Sequence, residues 1–247
     1  MTRSDLTYVY CAVGGATAPR LPRRMPVMPD GARARVIPAG RGVWLVVASV
    51  PESTYGSHAI TTQLADFDWV AATGTAHHGV IEALHRTRDV VPFRLFSMFT
   101  SDERASAQLA RSAARIKKTL AAVRGREEWV LRVSAPPPGV ANTSAEMSGA
   151  AYLAAKAASL SATAIDPALV RRATAIVTAL AKLATRTHRG KDPVAANLLI
   201  DAAFLVPRSR RAAFVTRAKT LTRPLLALGA RQSLTGPWPP YSFGARG

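Results

Sequence analysis

Hydrophobic positions along this chain switch repeatedly between the period of a strand and that of a helix. Leu6 to Val13 alternates aromatic and β-branched residues and predicts a first strand. Residues 14–42 are rich in Gly, Pro and Arg and predict a long loop, with a short structured piece around Arg33–Ile37. Val43 to Val50 is an unbroken apolar run of strand length, which suits a central strand covered on both faces. From Asp68 the spacing becomes helical, with Val70, His77, Ile81 and Leu84 on one side. Val90 to Arg94 predicts a short strand, which Pro92 assigns to an edge or a strand start. One long helix is expected from a Ser101 cap to the Arg124-Gly125 stop, turning Ala105, Leu109, Ala113, Ile116, Leu120 and Val123 inward. Glu127 to Val133 then predicts a strand with Trp129, Leu131 and Val133 on one side.

Consecutive prolines in Ala135-Pro136-Pro137-Pro138-Gly139 favour an extended spacer. They divide the chain into an N-terminal domain over 1–135, a Pro-rich linker over 136–145 and a C-terminal domain over 146–247. The second part opens with an Ala-rich helix from Ser144 to near Leu160. A second helix starts at Asp166-Pro167, a cap followed by Pro at the first helical position, and runs to near Gly190. Its inward face is Leu169, Ala173, Ile176, Leu180 and Leu183. Ala195 to Val206 fits a buried strand or a buried helix, and strand is the reading taken. Arg208 to Thr222 predicts a helix and Leu225 to Leu234 a closing strand. Strands interrupted by helices define an α+β protein of two domains, each with ferredoxin-like character.

Charge changes this picture in one respect. Lys and Arg number 33 against 15 Asp and Glu, a net charge of +18, and residues 143–247 hold only 4 of the acids. Such a surface favours polyanions, so a basic nucleic-acid-binding protein is the rival reading. The basic spots lack interleaved aromatics for base stacking, and solvated helix faces account for them more simply. No apolar run approaches the roughly 20 residues that span a bilayer, and Met1 to Asp5 has no secretory architecture. A cytoplasmic protein is expected, or one that joins a cytoplasmic assembly, with no membrane partner.

Candidate chemistry is sparse. Cys11 is the single cysteine, which excludes an internal disulfide and a multi-cysteine metal site. It lies on the first strand with no His nearby in sequence, so a small buried residue is the expectation. Neighbouring residues on a helix point about 100° apart, so His77 and His78 cannot readily share a metal. Among the histidines, only His77 joins an apolar face, as a packing residue. His58, His85 and His188 are isolated. Glu127 and Glu128 fall on opposite sides of their strand, with one of them buried or paired. No Walker loop, GxGxxG or GxSxG occurs. The expectation is a protein with no enzyme activity, no cofactor and no metal. Trp69, Trp129 and Trp238 read as core anchors. The terminal run Thr235 to Phe243 combines prolines that fix the backbone with rigid aromatics, suited to docking on a partner or on its own domain.

Several segments resemble the GvpL/GvpF gas vesicle proteins. They are Tyr8-Val9-Tyr10; Trp69 followed by His77 and Val80; Val91-Pro92-Phe93-Arg94; Glu128-Trp129 and its strand; and Ser148-Gly149-Ala150-Ala151-Tyr152-Leu153. Most specific is the terminal string Leu234-Thr235-Gly236-Pro237-Trp238-Pro239-Pro240-Tyr241-Ser242-Phe243. Two departures stand out: Leu95-Phe96 replaces an expected aromatic–glycine step, and His78 replaces a usually acidic residue. The resemblance implies an N-terminal α+β domain and a C-terminal modified ferredoxin-like domain with extra helices. It also implies a non-enzymatic minor component that binds the small, hydrophobic GvpA-like major shell protein, together with other accessory proteins. The location implied is the gas vesicle within the cytoplasm, on the shell and at its gas-facing side. Partner contact is expected at Pro237, Trp238, Pro239, Pro240, Tyr241 and Phe243, and a structural role at Trp69, His77, Glu128, Trp129 and Tyr152.

Overall fold

A computed structural model describes residues 5–135, 166–190 and 198–244. The chain forms two compact units, residues 1–126 with 238–247, and residues 127–237. Both contain helices and an antiparallel sheet, as the α+β reading expects.

In the first unit the strands are β1 (Asp5–Gly14), β2 (Arg35–Pro38), β3 (Val43–Pro51), β4 (Val90–Pro92) and β5 (Met98–Phe99). Their order is β2-β3-β1-β4, with β5 also pairing β1. β1 is antiparallel to β3, with Leu6 opposite Val50 and Val13 opposite Trp44. The register shifts between Val9 and Cys11, which inserts Tyr10 as an extra residue. That shift reverses the alternation of faces. Tyr8, Tyr10, Cys11 and Val13 share one core, whereas Val9 and Ala12 join the other. Both faces are therefore covered, and the unbroken apolar runs of β1 and β3 follow from it.

The helices are α1 (Glu52–Tyr55), α2 (Ser57–Gln63), α3 (Phe67–His85), α4 (Asp102–Ala110) and α5 (Ala113–Val123). α3 buries Ala76, Val80, Ile81 and Leu84 in the Tyr8 core; α4 and α5 bury Ala105, Ile116 and Leu120 in the other. The single helix expected between Ser101 and Gly125 is thus two. At the break, Ser112 N–H bonds the Leu109 carbonyl at 3.0 Å, and its own carbonyl accepts Ile116 N–H to begin α5. The turn at Gly40, with φ of +93°, sits against the break: a Cβ there would lie 3.3 Å from Ala113 Cβ and 3.8 Å from Ala110. Ser101 caps α4 as expected, accepting from Arg104 N–H at 3.3 Å. Asp102 in the first turn accepts from Thr7 Oγ1 at 2.7 Å and from both Arg35 terminal nitrogens. The Arg35 guanidinium holds its carboxyl below the usual carboxylate range.

The second unit contains β6 (Arg126–Ser134), α6 (Pro167–Ala181), β7 (Arg186–Arg189), β8 (Leu198–Pro207), α7 (Arg211–Leu226) and β9 (Arg231–Trp238). Among the described residues the succession βαββαβ and the spatial order β9-β6-β8-β7 are those of a ferredoxin-like sheet. Trp129, Leu131 and Val133 of β6 meet Ile176 and Leu180 of α6, Phe204 of β8, and Phe214 and Leu225 of α7 in one core. Two expected ranges change. α6 stops at Ala181, so Arg186–Arg189, expected as helix, forms an edge strand. α7 continues to Leu226, where strand was expected, and the closing strand runs from Arg231. β6 belongs to this second unit, ahead of the proline run, and the last ten residues belong to the first. The Pro-rich segment 136–145 and the helix expected over Ser144–Leu160 lie outside the described residues.

Candidate functional site

The two adjacent histidines of α3 face different surroundings, as their 100° offset requires. His77 is 5% exposed and points into an aromatic group built on the bulged β1. Its Nδ1 lies 2.8 Å from the Tyr8 hydroxyl and its Nε2 3.3 Å from the Phe93 carbonyl oxygen. A carbonyl can only accept, so Nε2 carries the proton and Nδ1 accepts the phenol O–H. The Tyr8 oxygen in turn accepts from Phe96 N–H at 3.4 Å. Tyr8 and Tyr10 rings lie 5.1 Å apart, and Tyr10 lies 5.7 Å from His77. Burial pushes the Tyr8 and Tyr10 phenols up, and Tyr55 up to about 12. Burial pushes His77 down to about 4, outweighing its bond to the Phe93 carbonyl. These groups stay neutral at physiological pH.

A stability prediction follows. The folded state refuses a proton that the unfolded state, with a pKa of about 6.5, accepts. Stability is therefore full above pH 6.5 and falls by about 3 kcal/mol as the pH drops toward 4. Urea midpoints measured across that window should decline in the native chain. In His77→Gln they should start lower at pH 7 and stay nearly flat.

His78 faces the chain terminus instead. Its Nδ1 lies 2.8 Å from the Tyr241 hydroxyl, with the Tyr241 ring centred 5.9 Å away and the Trp238 ring edge-on at 5.4 Å. Pro237 is exposed, Trp238 half-buried, and Pro239 and Pro240 buried; Tyr241 is 39% exposed and Phe243 only 4%. Trp238 to Phe243 belong with the first unit, on α3, and not with the C-terminal domain in which the sequence reading placed them. Upstream, Gly236 has φ of +137°, and a Cβ there would lie 2.7 Å from the Glu128 carbonyl oxygen and 3.0 Å from the Trp129 ring. Glycine is the residue that fits this approach, which brings Glu128-Trp129 against the start of the terminal string.

Trp69 stacks on Phe96 with centroids 5.6 Å apart and planes within 6°, and lies 5.3 Å from Tyr55. Phe96 stands where the resemblance expects glycine, and it adopts φ of +63°, a region costly for a bulky side chain. Its stack on Trp69 offsets that strain. Trp129 is 8% exposed, lies 6.3 Å from Phe214, and donates from Nε1 to Glu127 at 3.0 Å. Glu127 also accepts from Arg211 Nε at 2.7 Å and from its terminal nitrogen at 2.5 Å. Both Glu127 and Glu128 are buried. Tyr152 lies outside the described residues. Cys11 is fully buried, and burial pushes its thiol up, away from the thiolate a nucleophile needs. Sequence reasoning missed His78, Phe96 and Arg211 as partners of these groups. His78 and Phe96 carried a signal, as departures from the family pattern, whereas Arg211 carried none.

Among the described residues, no cluster of three His, Cys, Asp or Glu side chains is placed to hold a metal, and no helix is long and apolar enough to cross a membrane. What the fold and this geometry define is an α+β protein with a neutral aromatic core and a terminus clasped onto α3. The chain belongs to the gas vesicle synthesis protein GvpL/GvpF family, whose model matches residues 6–245. It is 30% identical over 238 residues to gas vesicle protein L of Streptomyces sp. (strain CB03234), covering 88% of this chain and 87% of that protein. Its fold is similar to crystal structures of gas vesicle protein GvpF. The one from Anabaena sp. PCC7120 has a TM-score of 0.66 and 16% identity, covering 99% of this chain and 98% of the other. The one from Microcystis aeruginosa has a TM-score of 0.65 and 16% identity, covering 97% and 98%. The protein thus has a role in gas vesicles, within a family of structural and assembly proteins.

Proposed function

We propose that this protein is an assembly factor that binds the small, hydrophobic GvpA-like major shell protein by non-covalent contact, in the cytoplasm and at the growing shell. Family membership across residues 6–245 carries this reading. A shell subunit must keep an apolar face dry, and before assembly that face is an aggregation hazard. Three groups that the sequence offers for chemistry are engaged in packing: Cys11 is sealed in the sheet, His77 is held neutral, and Glu127 is tied to Arg211 and Trp129. Apolar contact area is offered instead. At the start of α3, Phe67 is 81% exposed and Leu64, just before it, 52%. In the terminal run, Pro237 and Tyr241 are the outward members of the proposed contact, while Pro239, Pro240 and Phe243 hold the segment in place. Trp69, Glu128, Trp129 and Tyr152 are assigned structural roles, and segment 136–145 the role of a linker.

The test is light scattering from shell protein diluted out of denaturant. Equimolar native chain should suppress scattering, and Phe67→Asp should recover about half or more of it, because a buried aromatic contact is worth roughly 1.5–3 kcal/mol. Scattering unaffected by the native chain contradicts the reading. The net charge of +18 favours one rival, nucleic-acid binding. A mobility shift that weakens steeply between about 50 and 200 mM salt would support that rival.

A further inference from the structure

One cavity of about 600 Å³ in the first unit lies apart from the aromatic core and the terminal clasp. A volume of this size suits a small molecule. One wall is a single face of α5: Lys117, Leu120, Ala121 and Arg124 fall at positions i, i+3, i+4 and i+7. The opposite wall has no side chains at Gly14, Gly15 and Gly42. Gly42 has φ of +68°, and a Cβ there would lie 3.5 Å from Lys117 Nζ, so the ammonium rests over bare backbone. Ala16 and, following α3, Arg88 and Asp89 complete the lining among the described residues.

The charge of this lining is unbalanced. Among the described residues Asp89 is its only acid, and its Oδ1 accepts Gly125 N–H at 3.0 Å. Among the described residues none of Arg88, Lys117 and Arg124 forms an ion pair. Arg88 also keeps a buried Nε that meets no hydrogen-bond acceptor among the described residues. Cations at helix C-termini commonly serve the last carbonyls, and Arg124 caps α5. That role does not cover Lys117, which sits in mid-helix.

We propose that this cavity binds an elongated phosphate compound, a chain of two or three phosphates free or as part of a nucleotide. Lys117 and Arg124 stand seven residues apart, about 10 Å along the helix axis, too far for one phosphate to bridge. They can hold the two ends of a phosphate chain while Arg88 donates to its middle. Leu120 and Ala121 between them supply an apolar floor. Backbone without side chains on the facing wall lets phosphate oxygens approach closely.

Calorimetric titration of the full chain with inorganic tripolyphosphate at about 100 mM NaCl tests this, since screening at that ionic strength suppresses diffuse attraction. The expected result is saturable 1:1 binding that Lys117→Ala and Arg124→Ala each weaken about tenfold. Arg111→Ala and Lys118→Ala, cations outside the lining, should leave it unchanged. ADP binding more tightly than pyrophosphate would identify the nucleotide form, and equal binding the free phosphate chain; both support the site. Absence of saturation, equal weakening by the outside variants, or stronger binding of hexaglutamate than of tripolyphosphate would each overturn it. Melting temperatures of all four variants establish that folding is retained.

Discussion

Gas vesicles disappear from cells whose only copy of this family is the present chain cut after Gly236. The missing residues include both rings that engage His78 and the buried Phe243, Pro239 and Pro240 of the first unit. Removing a buried Phe alone costs about 3–5 kcal/mol, against a total stability of roughly 5–15 for an ordinary domain. The cut also removes the last two residues of β9. Electron microscopy of vesicle numbers provides the readout, and normal numbers would refute the terminal segment's importance. Tyr241→Ala separates the two roles assigned to that segment. It deletes a ring that is 39% exposed and leaves Phe243 in place, so protein levels should hold while vesicle yield falls. A yield that tracks protein level alone would reduce the segment to a purely structural latch.

The second large effect is expected in the other unit. Arg211→Ala strands the Glu127 carboxylate, whose side chain is 2% exposed, with Trp129 Nε1 as its remaining hydrogen-bond donor among those described. Removing one partner of a buried pair costs about 3–5 kcal/mol. Arg211 itself is half exposed and solvent relieves part of that penalty, so about 2–3 kcal/mol is expected. Adding Glu127→Gln should restore most of the loss, because a neutral amide keeps the indole's acceptor without a buried charge. Urea unfolding of both variants measures the difference. A single variant as stable as the native chain would show that water already solvates Glu127.

Strands with dense β-branched and aromatic sequence were the legible part of this fold. β1, β3, β6 and β8 all lie where their apolar runs indicate, because burial on both faces or one leaves that pattern. β7 left no such trace: Arg186-Thr187-His188-Arg189 is a charged strand at the edge of the sheet among the described residues, and edge strands commonly carry charge. The break between α4 and α5 was equally invisible. Ala110, Arg111, Ser112 and Ala113 all tolerate a continuous helix, and the turn at Gly40, seventy residues earlier in the chain, abuts the break. Domain assignment followed the proline run, although β6 before that run supplies the first strand of the second unit's βαββαβ succession.

The same logic separates what was readable in the site. A histidine on the apolar side of α3 and a buried Cys11 follow from periodicity, and both are found. The terminal aromatics were readable as a docking element, but their seat was not. His78 is 163 residues from Tyr241, and nothing local links an outward histidine to a distant tyrosine. Phe96 is the clearer case. Its departure from glycine signalled an altered turn, but only the positive φ and the stack on Trp69 show how the chain accommodates it.

Chemical cross-linking in cells that co-express this chain and the major shell protein tests the central proposal most directly. Mass spectrometry should find cross-linked pairs near one to one, with peptides from the start of α3 and from the terminal run, and far fewer in Phe67→Asp. Recovery of the chain with no shell-protein cross-links, in cells that nonetheless fill with gas vesicles, would contradict it.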